Sequence, residues 1–281
     1  MPGGKVLVVA SLVDEASRNI ARALLDLYGL EPTGRELEGQ PIYARGSVLL
    51  AFTRADTVSS GHVPAALASK GLEAVIIASR HSSQAGKACL STHTPGNLGP
   101  EAPLGGEPMQ LAWSDPGRQK AALRALARAR DELGLLDYTV CLEVTHHGPT
   151  GVKVPVLFVE IGSTPERWAD RGAARAVAEA IWEAATKPLR GVRNAVGFGG
   201  GHYAPKFTVL MLEDVGLAVG HIVPKYAFKA YGPSRWLVEE PVRRTWGGCE
   251  AVVLDRKGLK GSDRRFVASV AEELGLEVVV I

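Results

Sequence analysis

The sequence predicts an α/β fold built on a mixed, largely parallel sheet. Short apolar runs alternate with segments of helical periodicity along most of the chain, which is typical of parallel strands joined by helices. The 281 residues are 46% hydrophobic and 22% charged. No apolar run approaches the ~20 residues of a membrane helix. These observations exclude disordered, fibrous and membrane-spanning classes, and the length allows a single domain over residues 1–281.

The first part of the chain alternates between strand and helix patterns. Apolar runs predict strands at residues 5–10, 47–52 and 74–79. Asp14 can cap a helix after the first strand and Gly29 can end it, because apolar residues recur at helical spacing between them. A short helix is predicted at 62–70. The glycine- and proline-rich segment at about 81–115 has little periodicity, so we expect a long loop insertion there.

The second part adds further strands, three helices and an irregular segment. Strands are predicted at residues 138–145, 154–161, 194–198, 207–212, 251–254 and 277–281. Helices are predicted at residues 117–133, 165–186 and 263–274. Residues 220–248 show neither the alternation of a strand nor the 3.6-residue periodicity of a helix, so we expect an irregular basic segment at about 220–248.

Histidines follow several of the predicted strands. They are His81, the adjacent pair His146 and His147, His202 and His221. In an open α/β sheet, the loops at the carboxyl ends of parallel strands form the ligand crevice. We therefore expect these histidines to converge on one site, with His81, His146, His147 and His202 around one crevice.

The adjacent pair His146-His147 is the strongest candidate for a metal-binding or catalytic role. Neutral imidazole is the commonest metal ligand, and a turn at Gly148-Pro149 could direct both rings into the crevice. The three cysteines show no C-x-x-C spacing, so a metal would have to rest on histidine and carboxylate. The alternative is that the two histidines form a structural hydrogen-bonding pair. Adjacent residues do not have the i, i+4 spacing that places the two histidines of the H-E-x-x-H motif on one face of a helix.

Two glutamates and a glycine run are further candidates. Glu160 closes an apolar strand, where it could orient a ligand histidine, act as a general base or simply cap the following turn. Glu143 lies inside its strand and is readily explained as a satisfied buried acid. The glycine run could let backbone N–H groups approach an anion, or could form a strained turn. Its members are Gly199, Gly200 and Gly201.

Charge is uneven along the chain, although the formal net charge is only +2. Residues 187–235 contain seven basic and two acidic side chains, interleaved with aromatic rings. Basic groups beside stacking rings suit a single-stranded RNA end, for which Lys225 and Lys229 are the candidates. The alternative is solvated surface charge over core aromatics.

Six strings of the sequence occur in the order of one known family. They are ASRNI at 16–20, SRHS at 79–82, THHGPT at 145–150, EIGST at 160–164, GFGGGHYAP at 197–205 and GLKGSDR at 258–264. Together they resemble the archaeal and plant D-aminoacyl-tRNA deacylase family, also called D-tyrosyl-tRNA deacylase of the second type. The resemblance spans nearly the whole chain.

The resemblance implies a phosphorylase/hydrolase-like three-layer α/β/α fold and hydrolysis of the ester that joins a D-amino acid to tRNA. It also implies zinc as cofactor, for which the candidate ligands are His81, His146, His147 and His202. His146, His147 and Glu160 are then the catalytic candidates, and the glycine run with Lys225 and Lys229 would bind the D-aminoacyl-tRNA substrate. A metal-free route with a positioned water and a nearby ribose hydroxyl is the alternative.

Two other functions stay open at this point. The histidines could serve a zinc carboxypeptidase-like enzyme or an amidohydrolase acting on small substrates. The basic segment could serve a non-catalytic RNA-binding protein. The start of the chain lacks the pattern of a signal peptide, so we expect a cytoplasmic location, with no membrane and no obligate protein partner.

Overall fold

All but two of the strands in the described part of the chain divide between two sheets, and the other two form a short separate pair. The computed structural model describes residues 4–67, 71–84 and 86–281. The strands in chain order are β1 (Lys5–Ser11), β2 (Glu31–Leu37), β3 (Gln40–Arg45), β4 (Val48–Thr53), β5 (Leu72–Ser82), β6 (Cys89–His93), β7 (Gly96–Asn97), β8 (Gln110–Leu111), β9 (Thr139–Leu142), β10 (Val156–Ser163), β11 (Arg193–Phe198), β12 (Leu217–Val223), β13 (Ala251–Leu254) and β14 (Glu277–Val280). The α-helices are α1 (Glu15–Tyr28), α2 (His62–Ala66), α3 (Pro116–Glu132), α4 (Pro165–Trp168), α5 (Arg171–Thr186), α6 (Pro205–Glu213), α7 (Lys225–Tyr231), α8 (Arg235–Arg243) and α9 (Gly261–Glu273).

The larger sheet has eight strands in the order β2-β3-β4-β1-β5-β10-β6-β9. Its central strands β4, β1, β5 and β10 run parallel, whereas β2, β3 and β6 introduce antiparallel pairs. The smaller sheet, β12-β11-β13-β14, is parallel throughout. The predicted α/β fold with a mixed, largely parallel sheet is confirmed. The separation into two sheets is a feature that the sequence did not indicate.

The first strand and helix show how local sequence produces the fold. Strand β1 is buried along almost its whole length, as its apolar run predicts. The Asp14 carboxylate accepts a hydrogen bond from the Ser17 N–H at 3.0 Å and caps α1. Gly29 ends the helix with a left-handed φ of 56°, a conformation that favours glycine. Both predicted ends of this helix are therefore confirmed.

Helix α3 packs against both sheets and sets their relative position. Its Gln119 side chain is fully buried. The amide nitrogen donates to the carbonyl oxygens of Val219 at 3.2 Å and Gly220 at 3.0 Å in the smaller sheet. The amide oxygen accepts from the Thr94 hydroxyl, which directly follows β6 of the larger sheet, at 2.9 Å. One side chain thus connects the two sheets next to the loops that carry the histidines.

Gln119→Leu should destabilise the protein by about 1–3 kcal/mol, because the Thr94 hydroxyl and two carbonyls would lose a buried partner. Guanidinium unfolding followed by circular dichroism measures this change. Gln40→Leu, in the hairpin between β2 and β3, is the control and should have little effect. Equal stabilities for the two variants would contradict a bridging role for Gln119.

The segment at about 81–115, where the sequence predicts a long loop, contains strands. Strand β6 runs through Cys89–His93, and all five of its residues are buried between β10 and β9. Its Ser91, Thr92 and His93 are polar, so the apolar pattern of a core strand is missing. The short pair β7 and β8 also lies in this segment.

Four further predictions about elements were wrong or incomplete. Residues 207–212 form part of helix α6 and not a strand, because Pro205 starts a helix and a short apolar run fits either structure. Residues 220–248 are not irregular, since β12 continues to Val223 and α7 and α8 follow. The predicted helix at 165–186 breaks in two, because Asp170 caps α5. Helix α2 ends at Ala66, and residues 68–70 of the predicted helix lie outside the described residues.

No helix in the described part of the chain is both long enough and apolar enough to cross a membrane.

Candidate active site

The candidate site forms where the ends of strands from both sheets meet. His81 is the next-to-last residue of β5, and Glu160 lies beside it in the neighbouring strand β10. His93 ends β6 and Glu143 directly follows β9. His202 lies in the loop after β11 of the smaller sheet. The site therefore draws on four strands of one sheet and one of the other.

Backbone hydrogen bonds join the loops of the two sheets. The Val144 N–H donates to the carbonyl of His202 at 3.0 Å, and the Thr145 N–H donates to the carbonyl of Ile222 at 2.9 Å. Glu143 and Tyr203 form an isolated antiparallel bridge. The loop that carries His146 is thus held against the loop that carries His202.

Glu143 is the centre of the cluster, and its side chain is buried. Its Oε2 atom lies 2.8 Å from His202 Nε2, 3.1 Å from His81 Nδ1 and 3.6 Å from His146 Nε2. The second carboxyl group, Glu160, places its Oε2 3.8 Å from His81 Nδ1 and 3.7 Å from His93 Nε2. Two buried carboxyl groups therefore face one set of imidazoles.

His93, His146 and His147 form a compact group of rings. The ring centroids of His146 lie 4.3 Å from His93 and 4.2 Å from His147. His147 adopts a left-handed φ of 46°, which is uncommon for a residue other than glycine. This conformation lets two consecutive imidazoles stand side by side, as the sequence analysis anticipated for the turn at Gly148.

Hydrogen bonds decide which ring nitrogen of this group is available. His146 Nδ1 lies 2.8 Å from the carbonyl of Val144, and His147 Nδ1 lies 2.7 Å from the carbonyl of Gly148. A carbonyl only accepts, so each Nδ1 must carry the proton and each Nε2 has a free lone pair. Neither ring nitrogen of His93 has a hydrogen bond of ordinary geometry to the described residues. All three rings can therefore offer an unprotonated nitrogen.

The two carboxyl groups have opposite protonation states. Burial acts to raise the pKa of Glu143, but the imidazoles of His202 and His81 outweigh it and hold that pKa well below its ordinary value. Burial and the charge of Glu143 raise the pKa of Glu160 well above its ordinary value. Like charges this close in a buried site do not both ionise. Glu143 therefore carries the negative charge, and Glu160 keeps its proton.

The imidazoles also separate into two groups. Burial lowers the pKa of His93 to about 4 and that of His147 to about 3, and it lowers the pKa of His146 well below its ordinary value. These three rings are neutral at pH 7. Burial acts in the same direction on His81, but Glu143 outweighs it and raises the pKa of His81 to about 9. His81 and Glu143 therefore form a buried ion pair beside three neutral imidazoles.

A cavity of about 320 Å³ gives solvent access to this cluster. His81, His146, His147, His202 and Glu160 line it, together with Arg80 and Asp56, which pair at 2.9 Å. The structure thus brings the four sequence-predicted histidines and Glu160 into one crevice. The expected convergence is confirmed for these four histidines, whereas His221 does not line the cavity.

The sequence profile of one family covers most of the chain. The D-aminoacyl-tRNA deacylase profile matches residues 68–279. The chain belongs to the D-aminoacyl-tRNA deacylase family. A D-aminoacyl-tRNA deacylase of Pyrococcus horikoshii is 37% identical over 279 residues, covering 97% of this chain and 98% of the relative. One of Aeropyrum pernix is 37% identical over 287 residues, covering 99% and 100%.

A solved structure shares the fold across the whole chain. It is a crystal structure of a conserved protein of unknown function, and it aligns with a TM-score of 0.89 and 33% sequence identity. The alignment covers 100% of this chain and 96% of that chain. The two-sheet arrangement is therefore shared by a related protein, and the resemblance to the deacylase family seen in the sequence is confirmed.

Other predicted site residues of this deacylase-family chain lie outside the cluster or act differently. Gly199 and Gly200 use their N–H groups to bond the carbonyls of Val223 at 2.8 Å and Gly258 at 3.1 Å. These two groups are therefore not available to an anion. His221 lies inside β12, fully buried and bonded to Thr145, and is not part of the site. Gly201 directly precedes His202 in the loop after β11, and Lys225 and Lys229 lie in α7, which follows β12 of the smaller sheet.

Three functional residues were missed or undervalued in the sequence. His93 lies in the segment expected to be a loop, and no spacing links it to the other histidines. Glu143 reads as an ordinary buried acid, yet three imidazoles surround it. Tyr203, whose Oη lies 2.9 Å from His81 Nε2, had no chemical signal of its own. Only the adjacent His202 could have drawn attention to it.

Proposed function

We propose that this chain hydrolyses the ester that joins a D-amino acid to tRNA, and that the cluster around Glu143 performs the hydrolysis in the cytoplasm. The observation that carries the proposal is the combination of a buried His81–Glu143 ion pair with three neutral imidazoles, all beside one solvent-accessible cavity. Membership of the deacylase family and the full-length likeness to its members support it.

Ester hydrolysis needs a group that accepts a proton from the attacking water and a group that stabilises the negative charge formed on the carbonyl oxygen. His146 and His147 suit the first role, because both are neutral and both have a free Nε2 lone pair beside the cavity. The ribose hydroxyl is a better leaving group than an amine, so departure demands less assistance than in peptide hydrolysis.

Tyr203 suits the second role. The Glu143 carboxylate holds His81 in its charged form, and the His81 Nε2–H then donates to the Tyr203 oxygen at 2.9 Å. That bond directs the phenol's own proton away from His81. Burial raises the pKa of Tyr203, so the phenol keeps this proton. Tyr203 lines a pocket next to the cavity that the histidines line. We propose that its hydroxyl donates to an oxygen of the substrate from there, with His81 and Glu143 as positioning residues.

The donor set of the cluster fits a zinc ion. Buried polar atoms of the cluster lack hydrogen bonds of ordinary geometry to the described residues, among them both ring nitrogens of His93 and both carboxylate oxygens of Glu143. His93, His146 and His147 place one nitrogen each within 4.8 Å of the others, as do His81, Glu143 and His202 with their ligand atoms. We propose that the three neutral imidazoles would hold zinc, because hydrolytic zinc sites commonly use three such ligands.

A bound zinc ion supplies an acidified water and polarises a carbonyl group. The roles of the chain's own residues differ from those expected from the sequence. An imidazole whose Nε2 binds zinc cannot also accept a proton there, so His146 and His147 would be ligands when zinc is bound and bases only on the metal-free route. His81 and His202 contact Glu143 and are not among the three proposed ligands. Glu160, being protonated, is better suited to orient His93 and His81 than to act as a general base.

The proposed activity can be tested with tRNA charged with either enantiomer of one amino acid. The purified protein should release D-tyrosine from D-tyrosyl-tRNA and leave L-tyrosyl-tRNA intact, as measured by thin-layer chromatography of the labelled amino acid. Hydrolysis of small peptides or amides without hydrolysis of D-tyrosyl-tRNA would instead indicate an amidohydrolase. Binding of D-tyrosyl-tRNA without release of the amino acid would indicate an RNA-binding protein. Either outcome would overturn the proposal.

A further inference from the structure

Four lysines surround a second cavity next to the active site. Lys225 and Lys229 come from α7, and Lys257 and Lys260 come from the loop between β13 and α9. The cavity has a volume of about 430 Å³, and Asp263 is the one acidic residue among those that line it. We call these four side chains and their cavity the lysine pocket. The sequence pattern indicated Lys225 and Lys229 but not the second pair.

The positive charge of the lysine pocket is not neutralised within the described parts of the chain. None of its four ammonium groups has a carboxylate within 4.0 Å among the described residues, whereas Lys206 nearby pairs with Asp255 at 2.8 Å. Like charges around one cavity repel one another and raise the local concentration of anions. A ligand with more than one negative charge would remove this repulsion.

One short loop connects the lysine pocket to the active site. The Lys225 N–H donates to the Gly200 carbonyl at 3.1 Å, and the Gly200 N–H donates to the Gly258 carbonyl at 3.1 Å. Two residues later His202 places its Nε2 2.8 Å from Glu143. Gly200 has a φ of 80°, and a Cβ at Gly199 would lie 3.0 Å from Asp255, so glycine lets the loop pass this closely. A ligand in the lysine pocket is thus adjacent to a substrate at the cluster.

Tyr226 adds an aromatic ring to the same cavity. It lines the lysine pocket and is 44% exposed, so its ring surface is accessible from solvent. Tyr226 directly follows Lys225, whose N–H donates to the Gly200 carbonyl, so its ring belongs to the end of α7 that contacts the loop leading to His202. Lysines beside an accessible ring match the way proteins bind single-stranded nucleic acid, through phosphate contacts and base stacking.

We propose that the lysine pocket binds the phosphodiester groups next to the terminal adenosine of tRNA, and that Tyr226 stacks on a base of this single-stranded end. The inference rests on the proposed function and deepens it. The ester is carried by the ribose of the terminal adenosine, so phosphates held in the lysine pocket would deliver the ester across the Gly199–Gly201 loop to the cluster. The recognised part of the substrate is then the 3′ end common to all tRNAs.

Three esters of one D-amino acid test this inference. D-tyrosyl-adenosine has no phosphodiester, D-tyrosyl-CCA trinucleotide has the terminal ones, and D-tyrosyl-tRNA has all of them. The double variant Lys257→Ala/Lys260→Ala should lower kcat/KM on the trinucleotide and on tRNA by roughly tenfold, mainly through KM. Its kcat/KM on the adenosine ester should equal that of the wild type. The Lys257→Arg/Lys260→Arg variant should restore most of the loss, because charge is retained.

Salt dependence gives a second readout. The log–log slope of tRNA affinity against salt should shrink by up to about 1.4 in the double alanine variant, since a single strand releases ~0.7 counterions for each phosphate contact. Lys5→Ala is the matched control, because Lys5 is exposed at the amino end of β1, away from the strand ends that form the site. It should leave the slope unchanged.

Other outcomes would overturn the inference. If kcat/KM fell on the tRNA ester but not on the trinucleotide ester, these lysines would contact the body of the tRNA and not its 3′ end. An equal loss on all three esters would show a structural effect. Tyr226→Ala should weaken trinucleotide binding while Tyr226→Phe should not, and equal affinities would remove the stacking role. If the wild type hydrolysed none of the esters, the proposed function would fail, whereas fluorescence anisotropy with the uncharged CCA trinucleotide would still decide whether the lysine pocket binds it.

Discussion

His146→Ala and His147→Ala should each lower the single-turnover rate of D-tyrosyl-tRNA hydrolysis by roughly 10²- to 10⁴-fold and leave tRNA affinity nearly unchanged. Both rings are neutral, offer a free Nε2 and line the cavity, so they act on the reacting centre. We proposed above that the lysine pocket holds the 3′ end of the tRNA, so its affinity should depend little on these rings. Rapid-quench kinetics with enzyme in excess give the rate, and filter binding gives the affinity.

The same variants test the zinc proposal. Loss of a ligand should reduce the zinc content of the purified protein, measured by inductively coupled plasma mass spectrometry. His62→Ala is the control, because His62 is half-exposed, pairs with Glu38 and lies outside the cluster. It should change neither the rate nor the zinc content. If His146→Ala and His147→Ala lowered only thermal stability, with a normal rate for the folded fraction, these histidines would be structural.

Glu143→Gln should have a comparably large effect, with a loss of at least roughly 10²-fold in the hydrolysis rate. The amide has nearly the same shape as the carboxylate but no charge, so the negative centre between His81 and His202 disappears. Without it, His81 cannot be held in its charged form, and the donor arrangement that ends at Tyr203 is lost. Protein folding should be less affected than the rate.

The protonation state of His81 provides an independent readout. Its pKa of about 9 depends mainly on Glu143 and should fall in Glu143→Gln, because the largest contribution that opposes burial is then removed. Nuclear magnetic resonance of ¹⁵N-labelled histidine across pH 5–10 follows this change. Glu160→Gln should lower the hydrolysis rate less than Glu143→Gln does, because Glu160 is already protonated and glutamine is neutral as well. An unchanged His81 titration in Glu143→Gln would remove the proposed positioning role.

Much of the site could be predicted because strand ends are visible in the sequence. His81, His146, His147 and His202 all follow apolar runs, and the topology of parallel strands brings such ends to one edge. His93 could not be found this way. It ends an antiparallel strand, β6, whose polar residues hide its pattern, and only its position next to Phe158 of β10 brings it to the cluster.

The roles of the two glutamates depended on distances that no sequence spacing records. Glu143 and Glu160 both end or follow apolar strands, and nothing in their neighbours distinguishes them. In the folded chain Glu143 faces His202 and His81 closely, whereas Glu160 lies farther from its imidazoles and next to the charge of Glu143. That difference of less than 1 Å assigns the charge to one carboxyl group and the proton to the other.

By itself the sequence determined the α/β class, both ends of α1 and the family, because periodicity, capping and contiguous strings are local properties of the chain. It also supplied four of the clustered histidines. Only the tertiary structure decided that the strands separate into two sheets, that Lys257 and Lys260 join Lys225 and Lys229, and that Glu143 is the centre of the site. These features arise from contacts between residues far apart in the chain, such as Gln119 with Val219 and Gly200 with Gly258, and such contacts leave no local pattern.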